Sequence, residues 1–302
     1  MSILKKNFLK LCVFRIRPVL IFFSVTLFFI CKCIFAIIAV YDDTNHKIIL
    51  QKPAQRIITL SPEANDFLLA LKAKNKIIGT IAYEKNLAIK NHSVNIGIYP
   101  NIDFEKLVIL RPDLVILSNF GVPAEITMKL KEFNIPYFFI SPKKITFVAS
   151  DIKKIGALIG KNKTATKISE DFQNNILLFT KKFKLAKKVT VFYQLWGYPL
   201  TTVGKKTIID KIITLCGGES IFTDLNNLSY PVISVSNVLI KNPDVIIGSI
   251  DASMDYWHKL TNLSAVKNNH VYYIDPNILQ KNSPLLAQGI KTMCKQINLA
   301  RQ

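Results

Sequence analysis

From residue 41 to the end of the chain, short apolar runs bounded by turn residues alternate with segments whose apolar positions fall three and four apart. Such a pattern predicts buried β-strands separated by amphipathic helices. Residues 41–51 read as strand-turn-strand, with Asp42, Asp43 and Asn45 in the turn, and Arg56-Ile57-Ile58-Thr59-Leu60 reads as a buried strand. Ser61-Pro62-Glu63 then opens a helix: a serine that can cap, a proline suited to the first position, and an acid at the positive end. That helix is expected to reach about Lys74, followed by a strand over 77–81 and Tyr83 at the start of a polar loop. A short element ends at Gly97-Ile98-Tyr99-Pro100. Helices over 103–110 and 123–133 alternate with strands over 114–117 and 137–140. The second half repeats the scheme, with strands at 189–193, 243–250 and 271–274 and helices at 205–215, 234–240, 257–264 and 283–299.

Strands and helices alternating at this spacing predict an α/β protein with parallel sheets. An internal echo predicts two lobes of one construction: Phe104-Glu105-Lys106 through Pro112-Asp113-Leu114 and Ser236-Asn237-Val238 through Pro243-Asp244-Val245 both read helix, Pro-Asp, strand. The N-terminal lobe is assigned to 41–145 and the C-terminal lobe to 188–302. Between them, 146–187 carries no strand signal. One helix is expected over 147–159, broken at Gly160, and a second over 164–187, about 24 residues and roughly 35 Å long at 1.5 Å per residue. Its stripe of Ile168, Phe172, Ile176, Phe179 and Phe183 suits either a tie between the lobes or packing within one.

Composition changes the picture at the N-terminus. Residues 1–18 hold Lys5, Lys6, Lys10, Arg15 and Arg17 without an acid, and 19–40 are almost wholly apolar. This is the layout of a signal peptide, assigned to 1–39 with Ala36 or Ala39 as its end. The run is also long enough to persist as an uncleaved membrane anchor. Phe29-Ile30 ahead of Cys31 lack the small residue of lipoprotein processing. Removing 1–36, with six basic residues, lowers the formal charge from +20 to +14. The lysines are scattered singly and in pairs with no arginine-aromatic stripe, so the charge reads as a solvated surface rather than a nucleic-acid interface. About 260 residues remain, enough for two ordinary domains. They contain two cysteines, Cys216 and Cys294, either bridged, closing a loop of about 80 residues, or buried as free thiols.

Catalytic signals are sparse. His46, His92, His258 and His270 lie far apart, none at metal-pair spacing. Gly204-Lys205-Lys206-Thr207 lacks the upstream glycine of a phosphate loop, Pro199 standing there, and no nucleophile elbow is present. What accumulates in the loops after strands is aromatic surface: Tyr83, Tyr99, Phe120, Trp196, Tyr198 and Tyr230. Ligands of open α/β sheets bind beyond the strands' C-terminal ends, and rings with few charges suit a large, flat, partly apolar ligand.

Arg56-Ile57-Ile58-Thr59-Leu60-Ser61-Pro62-Glu63, Arg111-Pro112-Asp113-Leu114-Val115-Ile116, Cys216-Gly217-Gly218-Glu219 and Tyr230-Pro231 carry a resemblance to the substrate-binding proteins of iron-siderophore, haem and cobalamin ABC importers, over about residues 50–300. The resemblance implies a class III periplasmic binding protein: two Rossmann-like lobes joined by a single long helix, acting as a monomer without enzymatic chemistry. It delivers a small molecule to an inner-membrane permease and ATPase complex. It further implies that Tyr83, Tyr99 and Tyr230 present rings to a corrin. Leu195 falls where cobalamin binders have a phenylalanine, with Trp196 beside it as a substitute. Cys216 and Cys294 match a disulfide pair, which favours the cobalamin branch over most siderophore binders. Haem or a ferric siderophore is the alternative ligand, for which Tyr83 or Tyr230 could serve as the iron ligand. Glu105 matches the N-lobe glutamate that docks on the permease, and its C-lobe counterpart falls at Ser236. Within 277–281, where an acid, a tryptophan and an arginine are expected, the chain has Asn277, Ile278 and Lys281. A secreted α/β enzyme and an anchored scaffold without ligand are the readings from other classes.

Overall fold

A computed structural model describes residues 37–82, 89, 91–98, 101–118, 122–140, 144–225, 228–250 and 254–302; residues 1–36 of the signal segment thus lie outside the described residues, and its last three, 37–39, lie within them. Among the described residues no helix is long and apolar enough to cross a membrane. In the N-terminal lobe the elements run β1 (Ile38–Tyr41), β2 (Lys47–Leu50), β3 (Ile57–Thr59), α1 (Pro62–Ala70), β4 (Ile77–Thr80), β5 (Val94–Asn95), β6 (Gly97–Ile98), β7 (Asn101–Ile102), α2 (Phe104–Ile109), β8 (Leu114–Ser118), α3 (Ala124–Glu132) and β9 (Tyr137–Ile140). Two helices follow, α4 (Ile145–Leu158) and α5 (Asn162–Phe183). The second lobe comprises β10 (Val189–Gln194), α6 (Ile208–Leu215), β11 (Gly218–Ser220), α7 (Val235–Lys241), β12 (Val245–Gly248), α8 (Met254–His258), α9 (Ser264–Lys267), β13 (Val271–Tyr273), α10 (Pro276–Leu279) and α11 (Leu286–Leu299).

Each lobe is built on an all-parallel sheet, ordered β5-β4-β3-β8-β9 in the first and β11-β10-β12-β13 in the second. Parallel strands covered by helices on both faces are buried throughout; β8 and β12 accordingly show fully buried apolar runs. The repeated Pro-Asp phrase has a structural task in both lobes. Asp113 accepts from the Gln55 and Arg56 amides at 2.8 and 2.9 Å, just before β3. Asp244 accepts from the Thr190 amide and hydroxyl at 2.8 and 2.7 Å, at the start of β10. The acid at the head of each central strand thus ties down the chain entering its neighbour.

Helix α5 packs against α4 on one side and against α6 and α11 on the other, linking the lobes. Phe172 and Phe183 of its apolar stripe are buried, and Ile168, Ile176 and Phe179 pack on the same core. That core runs without interruption from Ile57 and Leu68, through Ile152 and Ile155, to Ile213 and Ile290. Close approach of α4 and α5 depends on Gly156, where an added Cβ would meet the Ala165 Cβ at 2.1 Å.

Several boundaries differ from the sequence reading. Helix α1 stops at Ala70, because Lys72 takes a left-handed conformation (φ 54°). The 257–264 helix is two short ones, α8 and α9, separated by a turn: Trp257 lies in α8, its ring edge-on to Phe192 at 5.3 Å, and Leu263 stands just before α9. Burial of both residues produces apolar spacing that resembles a single helix. Helix α6 begins at Ile208, three residues late, capped by the Thr207 side chain on the Asp210 amide. Strand β11, with sequence Gly-Glu-Ser, and the short helix α10 carry no hydrophobic period and were not expected.

Candidate functional site

The C-terminal ends of both sheets supply the candidate site. On the N-lobe side, Ser61 caps α1 by accepting from the Ala64 amide. One turn in, Asn65 is buried and fixed: the Thr59 hydroxyl donates to its Oδ1 at 2.6 Å, and its Nδ2 donates to Thr80 Oγ1 at 3.0 Å. Three side chains from β3, β4 and α1 therefore lock the start of α1 to the strand ends. Tyr83, Tyr99 and Phe120 lie outside the described residues.

On the C-lobe side, β10 ends at Gln194, whose side chain accepts from the Trp257 indole N–H. Leu195 follows, half-buried against the core, its amide on Thr201 O at 2.8 Å and its carbonyl accepting the Ser249 hydroxyl at 2.7 Å. Antiparallel bridges Trp196↔Thr201 and Thr201↔Val232 then stitch two loops together, with the Thr202 amide donating to Pro231 O at 3.1 Å. This stitching brings Trp196 and Tyr230, far apart in sequence, onto adjacent loops. Both rings are exposed, at 60% and 57%, a state that water disfavours for large apolar surface. Within β10 Tyr193 is fully buried; burial pushes its phenol up to about 12, and Gln280 Nε2 donates to its oxygen at 3.2 Å.

The 277–281 segment divides. Asn277 is exposed, and its amide and side chain both donate to Asp275 Oδ1, at 2.9 and 2.8 Å, closing the first turn of α10. Lys281 turns the other way, its Nζ 3.9 Å from Oδ2 of Asp66 on α1 in the opposite lobe. Asp66 was not foreseen from the sequence; the only hint is its place three residues after Glu63 on the less buried side of α1.

Glu105 and Ser236 occupy equivalent places, each the second residue of its helix and each exposed. Asp103 caps α2 through the Lys106 amide, and Ser234 caps α7 in a reciprocal box with Asn237. A concavity of about 480 Å³ beside Glu105 is lined by residues 101–104, Pro123, Glu125, Ile126 and Lys129. Its ionic groups pair locally, Lys129 with Glu125 at 2.9 Å. The disulfide Cys216–Cys294 is formed, joining the end of α6 to the middle of α11. Among the described residues no group of three or more His, Cys, Asp or Glu is placed to hold a metal ion.

Comparison with known proteins agrees with this construction. A vitamin B12-binding protein of Vibrio campbellii is 27% identical over 274 residues, covering 90% of this chain and 98% of the relative. Among solved structures, the periplasmic vitamin B12-binding protein of Vibrio cholerae superposes with a TM-score of 0.70 at 24% identity, over 83% of this chain and 99% of that one. A periplasmic haem-binding protein from Roseiflexus sp. RS-1 superposes with a TM-score of 0.69 at 17% identity, over 82% and 100%. At these identities the two structures establish the fold. The profile of the periplasmic binding protein family matches residues 57–278, and the chain belongs to that family.

Proposed function

We propose that this protein is the substrate-binding component of an ABC importer, holding cobalamin or a related corrinoid between its lobes and passing it to an inner-membrane permease with its ATPase. The observation that carries the reading is the pair of stitched loops that expose Trp196 and Tyr230 together beyond the end of β10. Two exposed rings on a rigid support suit a broad, flat, partly apolar ligand better than a small ion. The likeness to a vitamin B12-binding protein over nearly its whole length supports corrinoids within that class. Tyr83 and Tyr99 are proposed to complete the aromatic surface from the N-lobe, with Leu195, Asn277 and Lys281 on the C-lobe side. Binding is non-covalent, in the periplasm. Glu105 is proposed to dock on a cationic group of the permease; Ser236, in the equivalent place, brings no charge, so docking relies on one ion pair.

A second reading, haem or a ferric siderophore, is favoured by the exposed phenol of Tyr230, which is free of burial and able to ligate iron. Calorimetry and visible spectroscopy on the mature protein separate the two. Cyanocobalamin is expected to give a saturable binding isotherm, and replacing Tyr99 and Tyr230 together by alanine to weaken it more than about tenfold, since stacking contacts contribute roughly 0.5–1.5 kcal/mol each beyond area burial. A flat cyanocobalamin isotherm with a saturable Soret shift for haemin would establish the second reading instead.

A further inference from the structure

Among the described residues, the Asp66–Lys281 contact is a charged pair that crosses from one lobe to the other, and both partners sit on rigid supports. Asp66 projects from α1, whose neighbouring residue Asn65 is held by Thr59 and Thr80. Lys281 lies between Leu279, fully buried, and Asn282 and Ser283, also buried, while Gln280 beside it is tied to the Tyr193 hydroxyl. The two side chains are 12% and 23% exposed, so water screens their attraction only in part. Their separation of 3.9 Å is nonetheless longer than the 2.7–2.9 Å of a charge-assisted hydrogen bond. A pair that attracts across the cleft without a hydrogen bond draws the lobes together yet leaves the ammonium's donors for a better-placed oxygen. Glu63 stands three residues before Asp66 on the same, less buried side of α1. The N-lobe wall is thus acidic here, with Lys281 as its cationic counterpart.

We propose that Asp66 and Lys281 form an inter-lobe latch, and that the ligand bears an anionic oxygen group, a phosphodiester or a carboxylate, to which Lys281 transfers from Asp66. This rests on the reading of the region between the lobes as the ligand site. A ligand without such a group leaves Lys281 on Asp66 and must bind against the closed latch. A ligand carrying one exchanges a long pair for a direct hydrogen-bonded one, so the latch acts as a charge filter for the cargo.

The test uses the mature protein and the variants D66N, K281Q, D66N/K281Q and the reversed pair D66K/K281D. Without ligand, small-angle scattering is expected to show a larger radius of gyration for D66N and K281Q, and a return toward wild type for the reversed pair. This outcome does not depend on which ligand the protein takes. With ligand, cyanocobalamin, which has a phosphodiester, and dicyanocobinamide, which lacks the nucleotide loop, form one pair of probes; haemin supplies the carboxylate arm. For the phosphodiester or carboxylate ligand that binds, D66N is expected to tighten affinity about threefold to tenfold, K281Q to weaken it at least as much, and D66N to have no effect in the K281Q background. Dicyanocobinamide, which binds against the closed latch, is expected to bind K281Q at least as tightly as wild type. Unchanged scattering in both single variants overturns the latch. A tightening by D66N that persists in the K281Q background overturns the transfer, because it shows simple repulsion by Asp66. Failure of every probe to bind wild type, with scattering as expected, overturns the ligand reading while leaving the latch standing.

Discussion

At the scale of single residues, Asp151 shows how burial and neighbouring charge decide an ionisation. It lies in α4 with a side chain 1% exposed, 3.7 Å from Lys154, which itself pairs with Asp43. Burial first, and then the Asp43 and Asp42 charges, raise its carboxyl from 3.8 to about 8, against the opposing pull of Lys154. His46 faces the same cluster, its ring stacked on Tyr137 and its Nδ1 3.6 Å from Asp42. Because the folded chain holds this proton and the unfolded chain releases it near 3.8, stability through this group is highest below that value and falls as pH rises toward about 8. Replacing Asp151 by asparagine removes the ionisation. Relative to wild type, D151N is expected to gain on the order of 4 kcal/mol between pH 5 and pH 8.5, at about 1.4 kcal/mol per pH unit up to about 8, read by urea unfolding across that range; parallel pH profiles would refute the assignment. None of this was legible in the sequence, where Asp42 and Asp43 are ordinary turn residues. Asp66 escaped notice for the same reason: its partner is remote in the chain, and no local pattern marks a carboxylate that faces another lobe.

At the scale of elements, capping chemistry was readable and edges were not. Ser61-Pro62-Glu63 specified the start of α1 because a cap, a fixed φ and a favourable charge are local properties. Strand β11 was invisible because it is short, on the sheet edge, and made of Gly-Glu-Ser, its place fixed only by pairing with β10. The left-handed Gly217 (φ 72°) between α6 and β11 ends α6 just past the 215 boundary expected for that helix. The disulfide beside it holds α6 to α11, two helices packed together. Arg301 adds a second tie, donating to Cys216 O and Lys187 O at 2.8 Å each. With a separation of 78 residues, removing the crosslink in C216A/C294A is expected to cost about 4 kcal/mol on the chain-entropy account. Cyanocobalamin affinity should stay within about twofold, since neither cysteine lies beside the aromatic loops. Denaturant midpoints and calorimetry check both halves; loss of affinity in a folded variant would place the disulfide in the site.

At the scale of the whole molecule, the hydrophobic core passes continuously from the N-terminal sheet through α4 and α5 to α11, so the lobes share their stabilising burial. The amino-terminal edge of this body bears on export. Ile38 and Ala39 pair with Leu50 and Ile49 in β1, and Ile38 packs on the core. Cleavage after Ala36 keeps that strand whole, whereas cleavage after Ala39 would delete half of it. Mass spectrometry of the exported protein is expected to find Ile37 first; Val40 at the terminus would contradict this, and an intact residue 1 would indicate an anchor. By itself the sequence determined the alternation of strand and helix, the two-lobed repeat and the family phrases, because periodicity, caps and Pro-Asp signals act over a few neighbouring residues. Only the tertiary structure decided that the loops carrying Trp196 and Tyr230 are bridged to one another and that Asp66 meets Lys281. Each of these joins residues distant in the chain, and their approach is set by the packing of whole elements rather than by any local preference.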